Sequence, residues 1–138
     1  MRASPALDPD TAIVLGIAST ALPFACTPED AAERWLRVLR LHGDAGAALQ
    51  ALGVSEGPLR EPDEHEGGLA AFPSADDRDE VARVIEYAVH RADRRGAAGV
   101  ATSDVLMAVM DVYGADFERV LRAHGTDRDE VIQRLAAA

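Results

Sequence analysis

The sequence predicts an all-α protein of about eight helices, arranged as two tandem four-helix repeats related by a pseudo-twofold axis. Three observations lead there. Apolar residues make up 48% of the 138, but 27 of them are Ala and aromatics are only 4% of the chain. Such a composition suits closely approaching helices and not a β-sandwich. Pro and Gly fall between stretches whose apolar residues recur at helical spacing. Finally, the second half of the chain repeats the plan of the first.

The elements follow in order. Residues 1–8 read as a loose lead-in. Pro9 stands in the first turn of a helix with apolar positions Ile13, Val14, Ile17, Ala18 and Ala21, which Pro23 ends. Thr27-Pro28-Glu29-Asp30 supplies an N-cap hydroxyl, a first-turn Pro and two carboxylates on the positive end of the dipole. The helix it starts carries Trp35, Leu36, Val38 and Leu39, of which Trp35, Leu36 and Leu39 are expected in the core, and stops at His42-Gly43. A short helix from Asp44 to Leu52 is closed by Gly53, and a stub lies around Ser55 to Arg60. Residues 61–73, with four acidic residues, two Gly and two Pro, read as a solvated linker.

The plan then starts again. Ser74, or an Asp just after it, caps a helix with Val81, Val84, Ile85, Ala88 and Ala92 on one face, ending near Gly96 to Gly99. Thr102-Ser103-Asp104 caps a helix carrying Val105, Leu106, Val109 and Met110. Ala115 to His124 forms a third, closed by Gly125, and Thr126 or Asp127 starts a last one through Val131, Ile132 and Leu135. Shifted by 72 residues, Leu49-Gln50-Ala51-Leu52-Gly53 falls on Leu121-Arg122-Ala123-His124-Gly125. Shifted by 71, Trp35-Leu36 falls on Leu106-Met107, and shifted by 70, Val14-Leu15 falls on Val84-Ile85. The chain is thus one domain over 1–138, with repeat one at about 8–60, the linker at 61–73 and repeat two at about 74–137.

Charge narrows the function classes. There are 24 acidic and 14 basic residues, a net charge of −10, and every basic residue is Arg. Without Lys there is no Walker A lysine, Schiff base or Ser–Lys dyad in this sequence. The acidic balance argues against nucleic acid and anionic membrane as partners. The run Thr11 to Leu22 is too short to span a bilayer. It is not a lipoprotein signal either, since Asp8 and Asp10 precede it and Pro23 stands three residues before Cys26. One Cys forms no internal disulfide, and a cytoplasmic location is expected. The Arg- and Ala-rich, Lys-free composition suits a GC-rich bacterial genome.

The second-repeat segments Val84-Ile85-Glu86-Tyr87-Ala88 with Ala92, Thr102-Ser103-Asp104-Val105-Leu106-Met107, Val120-Leu121 to Gly125 and Val131 to Leu135 resemble the amino-terminal (Clp-N) double-repeat domain of Clp/Hsp100 unfoldases. In that family a helix with an A-x-x-x-A spine leads into a Thr-Glu-His-(I/L)-L-L segment, a short helix ending L-x-x-L-G-(I/V), and a closing helix. The first repeat matches in Ala48 to Val54. The resemblance covers about residues 8–137. It implies a recognition module and not an enzyme, without catalytic residues, cofactor or metal. Its implied partner is a peptide, a cyclic-peptide antibiotic, or a Clp-system substrate or adaptor, held in this case without ATPase rings. A decoy that sequesters such a ligand, and so gives antibiotic resistance, is one expected role. A regulatory or structural subunit docking on a Clp-type unfoldase or protease is the alternative.

Two sites follow from the resemblance. The first is a groove between the first helices of the two repeats, at Val14, Leu15, Ile85, Glu86 and Val89, with Phe72 near the family's aromatic position. The same residues equally suit a weld between the repeats. The second is an anion or phosphoarginine site at helix N-termini, at Thr27 and Glu29 in repeat one and Thr102, Ser103 and Asp104 in repeat two. Ser103 stands where the family has Glu, and aligning Trp35-Leu36 shifts the repeat-one position towards Ala32-Glu33. The alternative is that Glu29, Asp30 and Asp104 complement helix dipoles, as first-turn acids do. Cys26 precedes a helix N-terminus, but His42, His65, His90 and His124 have no triad or metal spacing, so Cys26 reads as a small packed residue. His42 and His124 read as residues at helix C-termini.

Overall fold

The computed structural model describes residues 6–25, 27–54 and 75–137. These are mostly helical. In chain order the helices are α1 (Pro9–Ala21), α2 (Pro28–Leu39), α3 (Gly43–Ala51), α4 (Ala75–Arg94), α5 (Thr102–Tyr113), α6 (Ala115–Ala123) and α7 (Arg128–Ala137), with a 3-10 turn at Leu22–Phe24. The expected stub at 55–60 and the linker at 61–73 lie outside the described residues, as do Cys26, Phe72 and Ser74.

The end of the lead-in is ordered differently from the expectation. Ala6–Leu7 (β1) pairs in parallel with Gly99–Val100 (β2), Ala6 opposite Gly99 and Leu7 opposite Val100. The Asp8 N–H donates to the Val100 carbonyl at 3.1 Å. One turn on, the buried Thr11 hydroxyl donates to the same carbonyl at 2.6 Å. The start of α1 is thereby fastened to the entry of α5. Alternation over two residues is too short to register in a sequence.

Local chemistry explains the helix ends. Thr27 caps α2 as expected, its hydroxyl accepting from the Asp30 N–H at 3.0 Å. Asp127 does the same for α7, accepting from the Glu130 N–H at 2.9 Å. At α5 the expected cap shifts by one residue. The N-cap is Ala101, in an extended conformation, and it has no side-chain oxygen to offer. Asp104, at the third helical position, accepts the Ala101 N–H at 2.9 Å, which is the returning half of a capping box.

Thr102 is instead turned to another helix. The N-cap of α3 is His42, whose side chain makes no cap bond. The buried Thr102 hydroxyl accepts the Ala45 N–H at 3.1 Å across 57 residues, so α5 caps α3. Gly43 makes this approach feasible. Its φ is +63°, and a Cβ there would collide with the Thr102 hydroxyl. His42 therefore belongs to the start of α3 and not to the end of α2, which closes at Arg40.

The core draws on all seven described helices, with Trp35, Phe117, Leu36, Leu39, Leu49, Leu106 and Leu121 fully buried. The most extensive packing joins α4 to α5; α2 also lies on α6 and α5, α3 on α5 and α7, and α1 on α2 and α4. Ala31, Ala32, Ala45, Ala88, Ala92 and Ala108 are buried at these contacts, letting backbones approach closely as the composition requires. No described helix is long and apolar enough to cross a membrane.

Candidate functional site

The phase of α1 decides which of its residues reach the surface. Its buried stripe is Thr11, Val14, Leu15 and Ala18, continued by Leu22. Val14 and Leu15, expected to line a groove, are core residues at 0% and 5% exposure. Ile13 and Ile17, one turn apart, are 48% and 41% exposed. The sequence could not fix this phase, because apolar residues run almost all the way round α1.

On α4, which packs against α1, Ile85 and Val89 are partly buried against the core, and Glu86 is exposed. Val84 and Ala88 are completely buried and weld the helix to the core. The weld and the surface are thus carried by different residues. Val14, Leu15, Val84 and Ala88 hold the helices. Ile13 and Ile17 are left at the surface of α1, and Ile85 and Val89 keep a partly exposed edge on α4.

The helix N-termini are electrostatically answered already. Asp104 is 1% exposed. Arg95 grips it in a two-pronged contact, Nε to Oδ1 at 2.9 Å and Nη2 to Oδ2 at 2.5 Å. With the Ala101 N–H, both carboxylate oxygens are engaged. Arg91 Nε lies 3.9 Å from Oδ1. The hydrogen bond and charge of Asp104, together with the charges of Asp8 and Asp44, raise the pKa of Arg95. The carboxylate offered by the sequence for an incoming guanidinium is occupied by one from the chain itself.

Next to this pair is a cavity of about 110 Å³, where the N-termini of α1, α3 and α5 converge. Its walls include Asp8, Asp10 and Asp44 around Thr11, Gly43 and Thr102. Three positive dipole ends meet there and each has brought its own carboxylate, so a further anion would face negative charge. At the start of α2, Thr27 and Glu29 are exposed, and the Thr27 hydroxyl is used in the cap. Ser103 is half-buried. The structure places the Thr27–Glu29 turn and the Thr102–Asp104 turn on separate helices, each with its own local partners.

Sequence reasoning missed two polar links. His124, at the end of α6 as expected, also reaches Glu33 of α2, Nε2 to Oε1 at 2.8 Å. The Trp35 indole joins Tyr113 and Glu80. Both bridge residues more than 75 apart, and no local spacing announces such pairs. Among the described residues no group of three His, Cys, Asp or Glu side chains is placed to hold a metal.

Compared with known proteins, the chain matches no family model and no curated sequence.

Proposed function

We propose that this chain is a non-catalytic recognition module of the Clp-N kind, built from two repeats, that binds a peptide or cyclic peptide over the seam between α1 and α4. The observation that carries the reading is the exposed pair Ile13 and Ile17 on a helix whose other large apolar residues, Val14 and Leu15, are buried. Two large aliphatic side chains one turn apart offer a contact that water solvates poorly.

The packing supports the two-repeat arrangement. Under the sequence shifts, α1 corresponds to α4, α2 to α5 and α3 to α6. A pseudo-twofold axis then requires contacts to come in exchanged pairs. The contact of α2 with α6 has its counterpart in that of α3 with α5, while α1 meets α4 and α2 meets α5 across the axis. The peptide reading is preferred to an anion site because Asp8, Asp10, Asp44 and Asp104 already answer the converging helix ends.

The test is isothermal titration with cyclic-peptide Clp inhibitors and, separately, with phosphoarginine. Binding of a cyclic peptide at micromolar affinity or tighter supports the reading, with sequestration of such a compound as the role. Binding of phosphoarginine alone contradicts it and moves the site to the helix N-termini. Silence towards both contradicts it too, and favours a surface that docks on a Clp-type protein.

A further inference from the structure

We propose that the outer face of α4 is a second docking surface, for an acidic segment of a partner protein that carries an aromatic or aliphatic side chain. Arg83, Tyr87, Arg91 and Arg94 follow one another at spacings of four, four and three, which places them on one stripe of the helix. All four are exposed, and Tyr87 leaves 49% of its surface in water.

In a chain where acids outnumber bases 24 to 14, a stripe that carries three arginines reverses the overall balance of charge. There are no carboxylates on the stripe between 83 and 94. Glu86 and Asp93 turn towards the neighbouring flank, and Glu80, next in line towards the N-terminus, accepts the Tyr113 hydroxyl. Complementing the helix dipole accounts for Arg91 and Arg94, which are in the last turn. It does not account for Arg83, which is nearly three turns earlier. Arg83 and Arg94 make no ion pair among the described residues, whereas Arg119, Arg122 and Arg128 each have a carboxylate.

The chemistry of the stripe selects its partner. A guanidinium takes a carboxylate in a two-pronged, charge-assisted contact. A tyrosine ring between two such groups adds a flat apolar contact with a polar edge. The net charge of −10 repels an acidic partner at a distance, but that field is screened beyond about 10 Å at 0.1 M salt. Recognition is therefore short-range and depends on carboxylates seated on the stripe.

The test is fluorescence anisotropy with a labelled peptide of alternating Glu and Phe, beside its Gln/Phe counterpart, at 0.15 M salt. The proposal expects the Glu peptide to bind at least about tenfold more tightly. It also expects the doubles Arg83→Glu/Arg94→Glu and Arg83→Gln/Arg94→Gln to lose that advantage while melting as the parent does. Equal binding of the two peptides, binding unaffected by either double variant, or a preference for duplex DNA over the Glu peptide would each overturn it. Ile17→Asp leaves this binding unchanged, which separates the stripe from the α1–α4 seam.

Discussion

The indole N–H of Trp35 donates to the hydroxyl of Tyr113 at 3.0 Å, and that hydroxyl donates onward to Glu80 Oε2 at 3.0 Å. Trp35 belongs to α2, Glu80 to α4 and Tyr113 to the end of α5, so one chain of hydrogen bonds fastens three helices. Trp35 is fully buried, and its N–H has to be satisfied inside the protein.

Tyr113→Phe keeps the ring and removes the link. The expected cost is about 1–3 kcal/mol, the penalty for a buried donor left without its partner. It reads out as a lower urea midpoint with an unchanged slope. Trp35 is the only Trp, so its fluorescence reports this junction. In the parent protein its transition and the loss of helix by circular dichroism should coincide, as both halves share one core.

The bond from the Ala45 N–H to the Thr102 hydroxyl makes a second prediction. Thr102→Val keeps shape and loses the cap, at a cost of about 1–2 kcal/mol. Thr102→Ser keeps the hydroxyl and should cost less. Gly43→Ala should destabilise by about 1 kcal/mol or more, because φ is +63° and the added methyl meets Thr102. Urea denaturation of the three variants checks the order.

Removing charge at Asp104 should cost about 1.5–3 kcal/mol in Asp104→Asn, through the weakened contacts to Arg95 and the Ala101 N–H. The pH dependence has a definite sign. The folded-state pKa of Arg95 is raised by Asp104, so its contribution is present below the unfolded value and is lost only as pH rises through the folded one. From about pH 6 to 10 a guanidinium stays protonated. The Arg95 contribution to the stability gap between parent and variant should therefore be flat over that range. A gap that shrinks steadily towards pH 10 contradicts it.

Helix positions were legible in the sequence where caps and breakers are strong, as at Thr27-Pro28, Gly53 and Gly125. The buried Trp35, Leu36 and Leu39 followed from spacing. Three things were not legible, each for a physical reason. The phase of α1 was hidden because Ile13, Val14, Leu15 and Ile17 give no polar flank to orient it. Thr102 looked like a cap for its own helix, while its hydroxyl serves Ala45, and only the tertiary fold creates that option. Asp104 read as a complement to the helix dipole or, by the resemblance, as part of a phosphoarginine site, and neither reading names Arg95, nine residues earlier across a turn, which grips it.

The separation of weld from surface on α1 predicts opposite behaviour for neighbours. Val14→Asp buries a charge at a site with 0% exposure and should abolish cooperative folding. Ile13→Asp, one residue away at 48% exposure, should shift stability by only about 0.5 kcal/mol. Thermal melts of the pair check this directly.

The most direct test of the recognition account compares two matched aliphatic-to-acid surface changes by titration with a cyclic-peptide Clp inhibitor. Ile17 on α1 is 41% exposed, and Leu41, between α2 and α3, is 56% exposed. The account predicts that Ile17→Asp weakens binding about tenfold or more, at least about 1.4 kcal/mol, while Leu41→Asp binds as the parent does and both fold normally. Parent-like binding by Ile17→Asp, or an equal loss in both variants, would contradict a recognition surface over the α1–α4 seam.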